Sequence, residues 1–324
     1  MSFVLRRLGF YLVAFFVAAT INFAIPRLMP GDPVAMMFAR NERLTPDNIA
    51  ALRKTFGFVD GPLIVQYLTY LKSVATGDFG LSIKFFPTPV TAVLAHALAW
   101  TLVLVGGATL ISFLIGSFLG AAAAWRRGGP FDMVVSTLGV ILHAMPPVVL
   151  AIVILFTFAI TLQWLPTGYA YDPALDPGFD TAFLGSVFAH GILPVFALSL
   201  VLTGGFLINM RNNMINLLGD DYLVMAEAKG LSPRRVMLSY GVRNAMLPTV
   251  TNLAITIGQV FAGSLVTEVV FNYPGLGNTL YSAVLARDYP LIQGQLLVMT
   301  LAMLAANFLA DLSYVLLDPR LRRA

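Results

Sequence analysis

The sequence has no cysteine and carries little charge. None of its 324 residues is cysteine, and only 11% are Asp, Glu, Lys or Arg, against roughly 25% in a soluble domain. The absence of thiols excludes a disulfide framework, a thiolate metal site and a cysteine nucleophile. Only three histidines are present, far apart in the chain, so we predict no metal site.

Motifs for nucleotide hydrolysis and for catalysis are also missing. No lysine follows a glycine, so there is no Gly-x-x-x-x-Gly-Lys-Ser/Thr loop to hold phosphate. The sequence contains no readable Ser/His/Asp set, no His-Glu-x-x-His motif and no close carboxylate pair within an apolar run. We therefore predict a non-enzymatic chain with no catalytic residue and no cofactor. If it transports solute against a gradient, a coupled ion or another subunit must supply the energy.

What the chain does contain is apolar sequence. Hydrophobic residues make up 58% of it, and its mean hydropathy is +0.82. This composition predicts an integral membrane protein whose surroundings are a lipid bilayer. The formal net charge of +4 does not indicate a nucleic acid partner, because Lys and Arg stand at the ends of apolar runs rather than on one basic face.

Six apolar runs predict six transmembrane helices and an all-α polytopic fold, since each is near the roughly 20 residues that cross hydrocarbon. An even number of spans places both termini on one side. Basic residues flank the spans on that side, whereas residues 161–186 carry no Lys or Arg, so the positive-inside rule predicts cytoplasmic termini. The predicted spans are Leu8–Met29, Trp100–Trp125, Met133–Ile160, Val187–Met210, Leu247–Val270 and Leu291–Leu317.

These spans divide the chain into an N-terminal helix, an external segment and a core. Within the external segment, helix start and stop signals predict short helices at Ile49–Phe56 and Leu63–Val74. The core contains the other five spans and a cytoplasmic loop. The three parts are residues 1–29, 30–95 and 96–324, and the loop is residues 211–246.

The second span carries small residues at every fourth position. They are Ser112, Gly116, Gly120 and Ala124. This spacing places them on one helix face, and small side chains in lipid let another helix approach closely. We therefore predict tight helix packing along this face.

The fifth span carries polar residues at i, i+4, i+7 and i+11, on one helical face. Polar groups at membrane depth are costly unless they meet protein or water, so this face lines a polar path or takes part in ordinary helix packing. Both readings stay open. For Glu268 and Asp311, near span ends, an interfacial cap or a buried partner is favoured over a proton relay. The residues of the polar face are Asn252, Thr256, Gln259 and Gly263.

A polar stretch at residues 211–248 separates the fourth and fifth spans. Within it, Asp221–Gly230 is predicted to form a short helix that the glycine stops. Ser232 and Pro233 are predicted to begin the next helix, because serine caps free N–H groups and proline suits the first helical position. A helical hairpin at a membrane surface is a shape that another protein can bind. An ordinary solvated loop is the alternative.

Several short motifs occur in this hairpin and elsewhere along the chain. They are Pro30-Gly31-Asp32-Pro33, Gly77-Asp78-Phe79-Gly80, Asp221-Tyr222, Ala226-x-Ala228-Lys229-Gly230-Leu231-Ser232, Arg243-Asn244-Ala245, Pro274-Gly275-Leu276-Gly277, Arg287-Asp288-Tyr289-Pro290 and Leu317-Asp318-Pro319-Arg320. Together they resemble the permeases of binding-protein-dependent ABC importers, in the branch that imports dipeptides, oligopeptides, nickel and some oligosaccharides. The likeness covers nearly the whole chain.

The resemblance implies a division of labour between subunits. Two homologous permeases pair to enclose a path, two ABC ATPase subunits dock underneath with ATP and magnesium, and an external solute-binding protein delivers the solute. The implied fold is that of a type I importer permease, in the first-subunit form with a long external segment after span one. The implied location is a bacterial or archaeal cytoplasmic membrane.

The hairpin is then the implied coupling loop, which converts closure of the ATPases into a tilt of the fourth and fifth spans. Small residues in it would let the ATPase approach closely. The predicted docking face comprises Tyr222, Ala226, Ala228, Gly230 and Leu231. All residues assigned to coupling are Asp221, Tyr222, Ala226, Glu227, Ala228, Lys229, Gly230, Leu231 and Ser232.

One position departs from the wider importer family. There the loop usually opens with Glu-Ala-Ala, ahead of the glycine that corresponds to Gly230. Here Val224, Met225 and Ala226 occupy those places, and Glu227 follows one place too late to be that acid. The departure puts in doubt any salt bridge assigned to the usual glutamate, although the peptide branch commonly lacks it.

The solute stays open between peptides, oligosaccharides and nickel. We expect di- or oligopeptides, since these are the commonest solutes in the branch. The rival class is a secondary transporter that works without ATP, but such carriers often show internal repeats and the sequence shows no convincing one. A membrane enzyme is disfavoured because no cluster of catalytic residue types is present.

Overall fold

The computed structural model describes residues 2–28, 61–260 and 264–317. The regular elements in these ranges are helices, and Leu81 and Pro89 form an isolated β-bridge. The helix predicted at Ile49–Phe56 lies outside the described residues. The helices are α1 Ser2–Leu28, α2 Leu63–Thr76, α3 Val90–Thr101, α4 Gly107–Trp125, α5 Pro130–Ala144, α6 Pro147–Ile154, α7 Thr181–Leu217, α8 Asp221–Ala228, α9 Pro233–Arg235, α10 Arg243–Val260, α11 Leu265–Val270, α12 Leu276–Ala286 and α13 Tyr289–Leu317, with π-helical continuations at Leu102–Gly106, Leu155–Thr161 and Val236–Val242.

Three of the described helices are long and apolar enough to cross a membrane. They lie at Arg6–Ile25, Val90–Trp125 and Thr181–Leu217, and a bent pair formed by α5 and α6 raises the number to four if it counts as one span. The fifth predicted span corresponds to α10 and α11, and the apolar part of α13 is Tyr289–Ala305. The helical membrane-protein class is confirmed, whereas six spans and cytoplasmic termini remain predictions.

The span predicted at Met133–Ile160 is wrong as a single helix. The chain bends by 100° between α5 and α6, where Met145 and Pro146 have ψ angles of 132° and 128°. Each of these residues precedes a proline, and the proline ring pushes the residue before it out of the helical region. Pro147 then begins α6, in the position that suits it.

The helix predicted at Leu63–Val74 is confirmed by α2, which ends at Gly77 in a left-handed conformation. The second predicted span begins earlier than expected, because α3 starts at Val90 and leads through its π-helical continuation into α4. The boundary at residue 95 between the external segment and the core therefore falls within a helix.

The chain forms two compact units. In unit 1, the fully buried side chains of Val90, Leu276 and Leu291 form a core between α3, α12 and the start of α13. The Asn22 side-chain amide of α1 donates a hydrogen bond to the Gln293 carbonyl oxygen at 2.8 Å. Unit 1 comprises Met1–Thr101, Phe261–Leu265 and Pro274–Phe308, and unit 2 comprises Leu102–Val260, Val266–Tyr273 and Leu309–Ala324.

Within unit 2, the small-residue face of α4 packs against α7. A Cβ added at Gly116 would stand 2.8 Å from the Thr203 carbonyl oxygen, so only glycine fits this approach. The Ser112 hydroxyl lies 2.9 Å from the Ser199 carbonyl oxygen, and Ala124 is fully buried. The tight packing predicted for this face is confirmed.

Candidate functional site

The hairpin between α7 and α10 begins with the short helix that its sequence predicts. This helix, α8, covers Asp221–Ala228. Gly230 has a φ of +74°, a left-handed conformation that glycine adopts without strain. Its N–H donates to the Glu227 carbonyl oxygen at 2.8 Å, which closes the turn after the helix. The prediction of a helix stopped by Gly230 is confirmed.

The second arm of the hairpin begins at Pro233, as predicted. The predicted cap by the Ser232 side chain is wrong, because that side chain makes no capping hydrogen bond. The Ser232 carbonyl oxygen instead accepts hydrogen bonds from the N–H groups of Arg235 and Val236, at 2.8 and 3.0 Å.

One face of α8 packs into the hairpin itself. Leu223 and Ala226 are each 3% exposed, and they form an inner core with fully buried Val236. Because the ends of α4 and α7 contribute to this core, it fastens the hairpin to both helices. The partly buried side chains around it are Trp125, Leu217, Tyr222, Leu231 and Tyr240.

The docking face predicted for α8 needs a correction at Ala226. This side chain lies in the inner core, because its three-residue spacing from Leu223 places both on the same helix face. Tyr222 and Leu231 are half-buried against that core and offer only part of their surface. The predicted coupling residues that are exposed are Asp221, Glu227, Ala228, Lys229, Gly230 and Ser232.

Two large apolar side chains on the outer face of α8 were not predicted. Val224 and Met225 are each 58% exposed. The sequence indicates their orientation, because the two residues between Leu223 and Ala226 lie on the opposite side of the helix. With the charged residues around them they form an apolar centre and a polar rim, the usual composition of a protein interface.

A second apolar cluster joins the hairpin to the long helices. Met210 and Met214 of α7 and Ala245 of α10 are buried, together with Ala121 and Ala124 of α4. Three helices therefore meet directly beneath the hairpin. Because protein interiors are close-packed, a displacement of the hairpin is transmitted to all three.

A polar layer lies beside this cluster, between α7 and α10. The Asn213 side-chain amide is 3.0 Å from the Asn209 amide oxygen and 3.2 Å from the Thr249 hydroxyl oxygen. Thr249 is fully buried, and its hydroxyl lies 3.0 Å from the Ala245 carbonyl oxygen. This layer was not predicted, because its members come from the fourth and fifth predicted spans and the loop between them, and the sequence does not specify how α7 and α10 rotate against each other.

An ion pair joins the end of α7 to the first turn of α5. The Arg211 guanidinium donates to both carboxylate oxygens of Asp132, from Nε at 2.6 Å and from Nη2 at 2.9 Å. The same carboxylate accepts hydrogen bonds from the Gly128 N–H at 3.0 Å and the Ser136 hydroxyl at 2.9 Å. This two-pronged geometry is the strong form of an arginine–carboxylate pair. It lies at the same end of α7 as the hairpin.

The polar face of α10 is described only in part. Asn252 and Thr256 are half-buried, and the Thr256 hydroxyl donates to the Asn252 carbonyl oxygen at 2.8 Å. The Gln259 side chain and Gly263 lie outside the described residues. Path lining therefore stays a prediction for all four. Glu268 is fully buried in α11, and the Asp311 side chain also lies outside the described residues.

No group of three or more His, Asp or Glu residues in the described ranges is placed to hold a metal ion. That ATP and magnesium bind to separate subunits, as the resemblance implies, stays a prediction. The absence of a catalytic or cofactor site in this chain remains a prediction.

Two family signatures match the chain. The family described as "Binding-protein-dependent transport system inner membrane component" matches residues 113–323. Its companion, which describes the N-terminal part of such membrane components, matches residues 1–93. Between them they cover the hairpin, the long helices around it and the N-terminal segment.

Individual proteins match over nearly their whole length. The chain is 34% identical over 343 residues to the di/tripeptide transport system permease protein of Pseudomonas aeruginosa, with 99% of each chain covered. It is 32% identical over 339 residues to the dipeptide transport system permease protein of Escherichia coli K12, again with 99% of each covered. A glutathione transport system permease protein of Salmonella choleraesuis is 33% identical over 323 residues, also with 99% of each covered.

Proposed function

Because the chain belongs to the family of binding-protein-dependent transport system inner membrane components, we propose that it is the permease subunit of an ABC importer for di- or oligopeptides. The three relatives are named for dipeptide, di/tripeptide and glutathione systems, and glutathione is itself a tripeptide. Oligosaccharide or nickel import would use the same architecture, but none of these names favours either.

The proposed assembly follows the division of labour in such systems. The chain crosses a bacterial or archaeal cytoplasmic membrane six times, with both termini inside, and pairs with a second homologous permease around the solute path. A solute-binding protein delivers peptide from outside. Two ATPase subunits bind ATP and magnesium on the cytoplasmic side. The chain itself contributes no catalytic group.

The observation that carries the proposal is the two-sided hairpin. Its inner face is packed onto α4 and α7 through Leu223, Ala226 and Val236. Its outer face presents Val224 and Met225, which the described part of the chain leaves 58% exposed. A helix held rigidly on one side and open on the other can receive a push from a docked ATPase and pass it to the helices beneath.

The solute path is proposed to run along the polar face of α10. Asn252 and Thr256 are half-buried within one chain, which leaves part of their surface for solute or for the second permease. Gln259 and Gly263 continue the same face by sequence spacing. Half-buried polar groups in a membrane helix are typical of a path that water or solute can reach.

The test is uptake by the assembled transporter in proteoliposomes. The complex is purified through a tag on this chain, supplied with its binding protein, and given a radiolabelled dipeptide with ATP inside. We expect ATP-dependent, saturable uptake that unlabelled di- and tripeptides compete with and malto-oligosaccharides do not.

The matched control uses ATPase subunits that bind ATP but cannot hydrolyse it, and there we expect no accumulation. Uptake that persists with these subunits and collapses on addition of an uncoupler would identify a secondary transporter instead. ATP-dependent uptake of the oligosaccharide rather than the dipeptide would contradict the peptide assignment alone.

A further inference from the structure

The carboxylate of Asp132 is buried and is hydrogen-bonded to three other residues. It is 4% exposed and accepts four hydrogen bonds, two from Arg211 and one each from Gly128 and Ser136. A buried carboxylate is costly unless all its partners are in place. The four bonds therefore define one arrangement of the loop before α5, the first turn of α5 and the end of α7.

The rest of the contact between α5 and α7 is equally close. A Cβ added at Gly204 of α7 would stand 2.9 Å from the His143 backbone nitrogen at the other end of α5. Gly139, midway along α5, lies against the Leu207 side chain. Contact along the whole length of α5, together with the ion pair at its start, holds the two helices as one body.

Arg211 also lies in the turn of α7 that supports the hairpin. Its neighbour Met210 and Met214, one turn further on, are fully buried in the cluster that includes Ala245. A displacement of the hairpin therefore moves the Arg211 backbone directly. The guanidinium then carries that displacement to Asp132 and so to α5, which ends at the bend near Met145.

We propose that the Asp132–Arg211 ion pair is a positioning element for transport, which makes α5 follow the coupling hairpin when the ATPases close. The proposal rests on the proposed function and refines it. The hairpin then moves α4, α5 and α7 together, rather than tilting only the two spans that flank it. In this proposal the pair acts through the helices it joins.

The absence of cysteine from the chain allows a direct test by cross-linking. In the purified transporter, Asp132→Cys and Arg211→Cys are introduced together, and the number of dipeptides taken up per ATP hydrolysed is measured. We expect this ratio to fall about tenfold, a typical effect of breaking a coupling contact. A short bis-methanethiosulfonate reagent that joins the two thiols should restore it, and a reducing agent should abolish the recovery.

The single-cysteine variants treated with the same reagent are the controls, and neither should recover. A ratio that is normal before cross-linking overturns the proposal. So does a ratio that stays low after mass spectrometry shows complete cross-linking, since a pair needed only for folding gains nothing from a bond made after assembly. Absence of peptide uptake by the wild-type transporter, in contrast, contradicts the proposed function.

A second variant keeps the proposal testable if the double variant does not assemble. Arg211→Lys keeps the positive charge but loses the two-pronged geometry. We expect the amount of assembled transporter to stay normal and the ratio to fall about threefold. An unchanged ratio in this variant overturns the proposal.

Discussion

The two faces of α8 differ in what covers them. Leu223 and Ala226 on the inner face are each 3% exposed, whereas Val224 and Met225 on the outer face are each 58% exposed. All four lie within one turn of the same short helix, so local sequence and helix propensity do not explain the difference. The inner face holds the hairpin to its own chain, and the outer face is exposed among the described residues.

Because the two faces are covered differently, we expect attachment of the hairpin to its own chain and binding of a partner to depend on different residues. Under the proposed function, residues on the inner face determine whether a push on the hairpin reaches α4 and α7. Under the proposed function, residues on the outer face determine whether an ATPase binds. Substitutions on the inner face should therefore change the free energy of unfolding and the coupling together, whereas those on the outer face should change only assembly.

The largest difference in unfolding free energy is expected between substitutions at Ala226 and Ala228, two alanines on opposite faces of α8. Ala226→Phe should lower the free energy of unfolding by about 3 kcal/mol, because the inner core has no room for the ring. Ala228→Phe should leave it unchanged, because that side chain is exposed. Denaturant unfolding of the purified chain in detergent measures both. Equal destabilisation by the two would contradict the assignment of the faces.

The next largest difference in unfolding free energy is expected between alanine substitutions at two adjacent aliphatic residues, Leu223 and Val224. Leu223→Ala should cost about 2.5 kcal/mol of unfolding free energy, because it leaves a cavity beside Val236. Val224→Ala should cost less than about 0.5 kcal/mol, as exposed substitutions usually do. The same unfolding measurement applies. A large cost at Val224 would show that the outer face is covered by this chain after all.

A smaller effect on the unfolding free energy is expected at Gly230, which follows the end of α8. A Cβ at this position meets no neighbouring atom, so Gly230→Val should cost only the strain of its left-handed backbone, about 1.5 kcal/mol. Gly219→Val is the control, because Gly219 is equally open and has no positive φ. In the assembled transporter we expect Gly230→Val to hydrolyse ATP with reduced uptake. Normal uptake would refute docking at this turn.

The smallest effect on stability is expected from the outer face itself. Val224→Ser combined with Met225→Ser should change the free energy of unfolding by less than about 0.5 kcal/mol. The affinity for the ATPase subunits should fall about tenfold, since truncating apolar residues at an interface centre commonly has that effect. Co-purification at graded ATPase concentrations measures it. Unweakened binding would place the docking surface elsewhere.

Much of the hairpin could be predicted because its signals are local. Gly230 stops α8 through its own backbone conformation, and Pro233 starts the next arm through its fixed φ. The small-residue face of α4 was equally readable, since one helix period suffices to reveal it. The bend at Met145 was encoded in two consecutive prolines, although the continuous apolar run around them conceals it.

The ion pair and the two faces of α8 could not be predicted in this way. Asp132 and Arg211 are 79 positions apart, and each alone is an ordinary charge near the end of an apolar run. Ala226 belonged to a motif that resembles a docking site, yet its neighbours in space are Leu223 and Val236. Such neighbours depend on how helices rotate against one another, which no single helix specifies.

The amino-acid sequence by itself determined the membrane class, the family and the ends of the hairpin, because composition, short motifs and backbone preferences act over a few residues. Only the tertiary structure decided which side of α8 is open and which charges pair. Those outcomes result from close packing between distant segments, and that packing is settled when the whole chain folds.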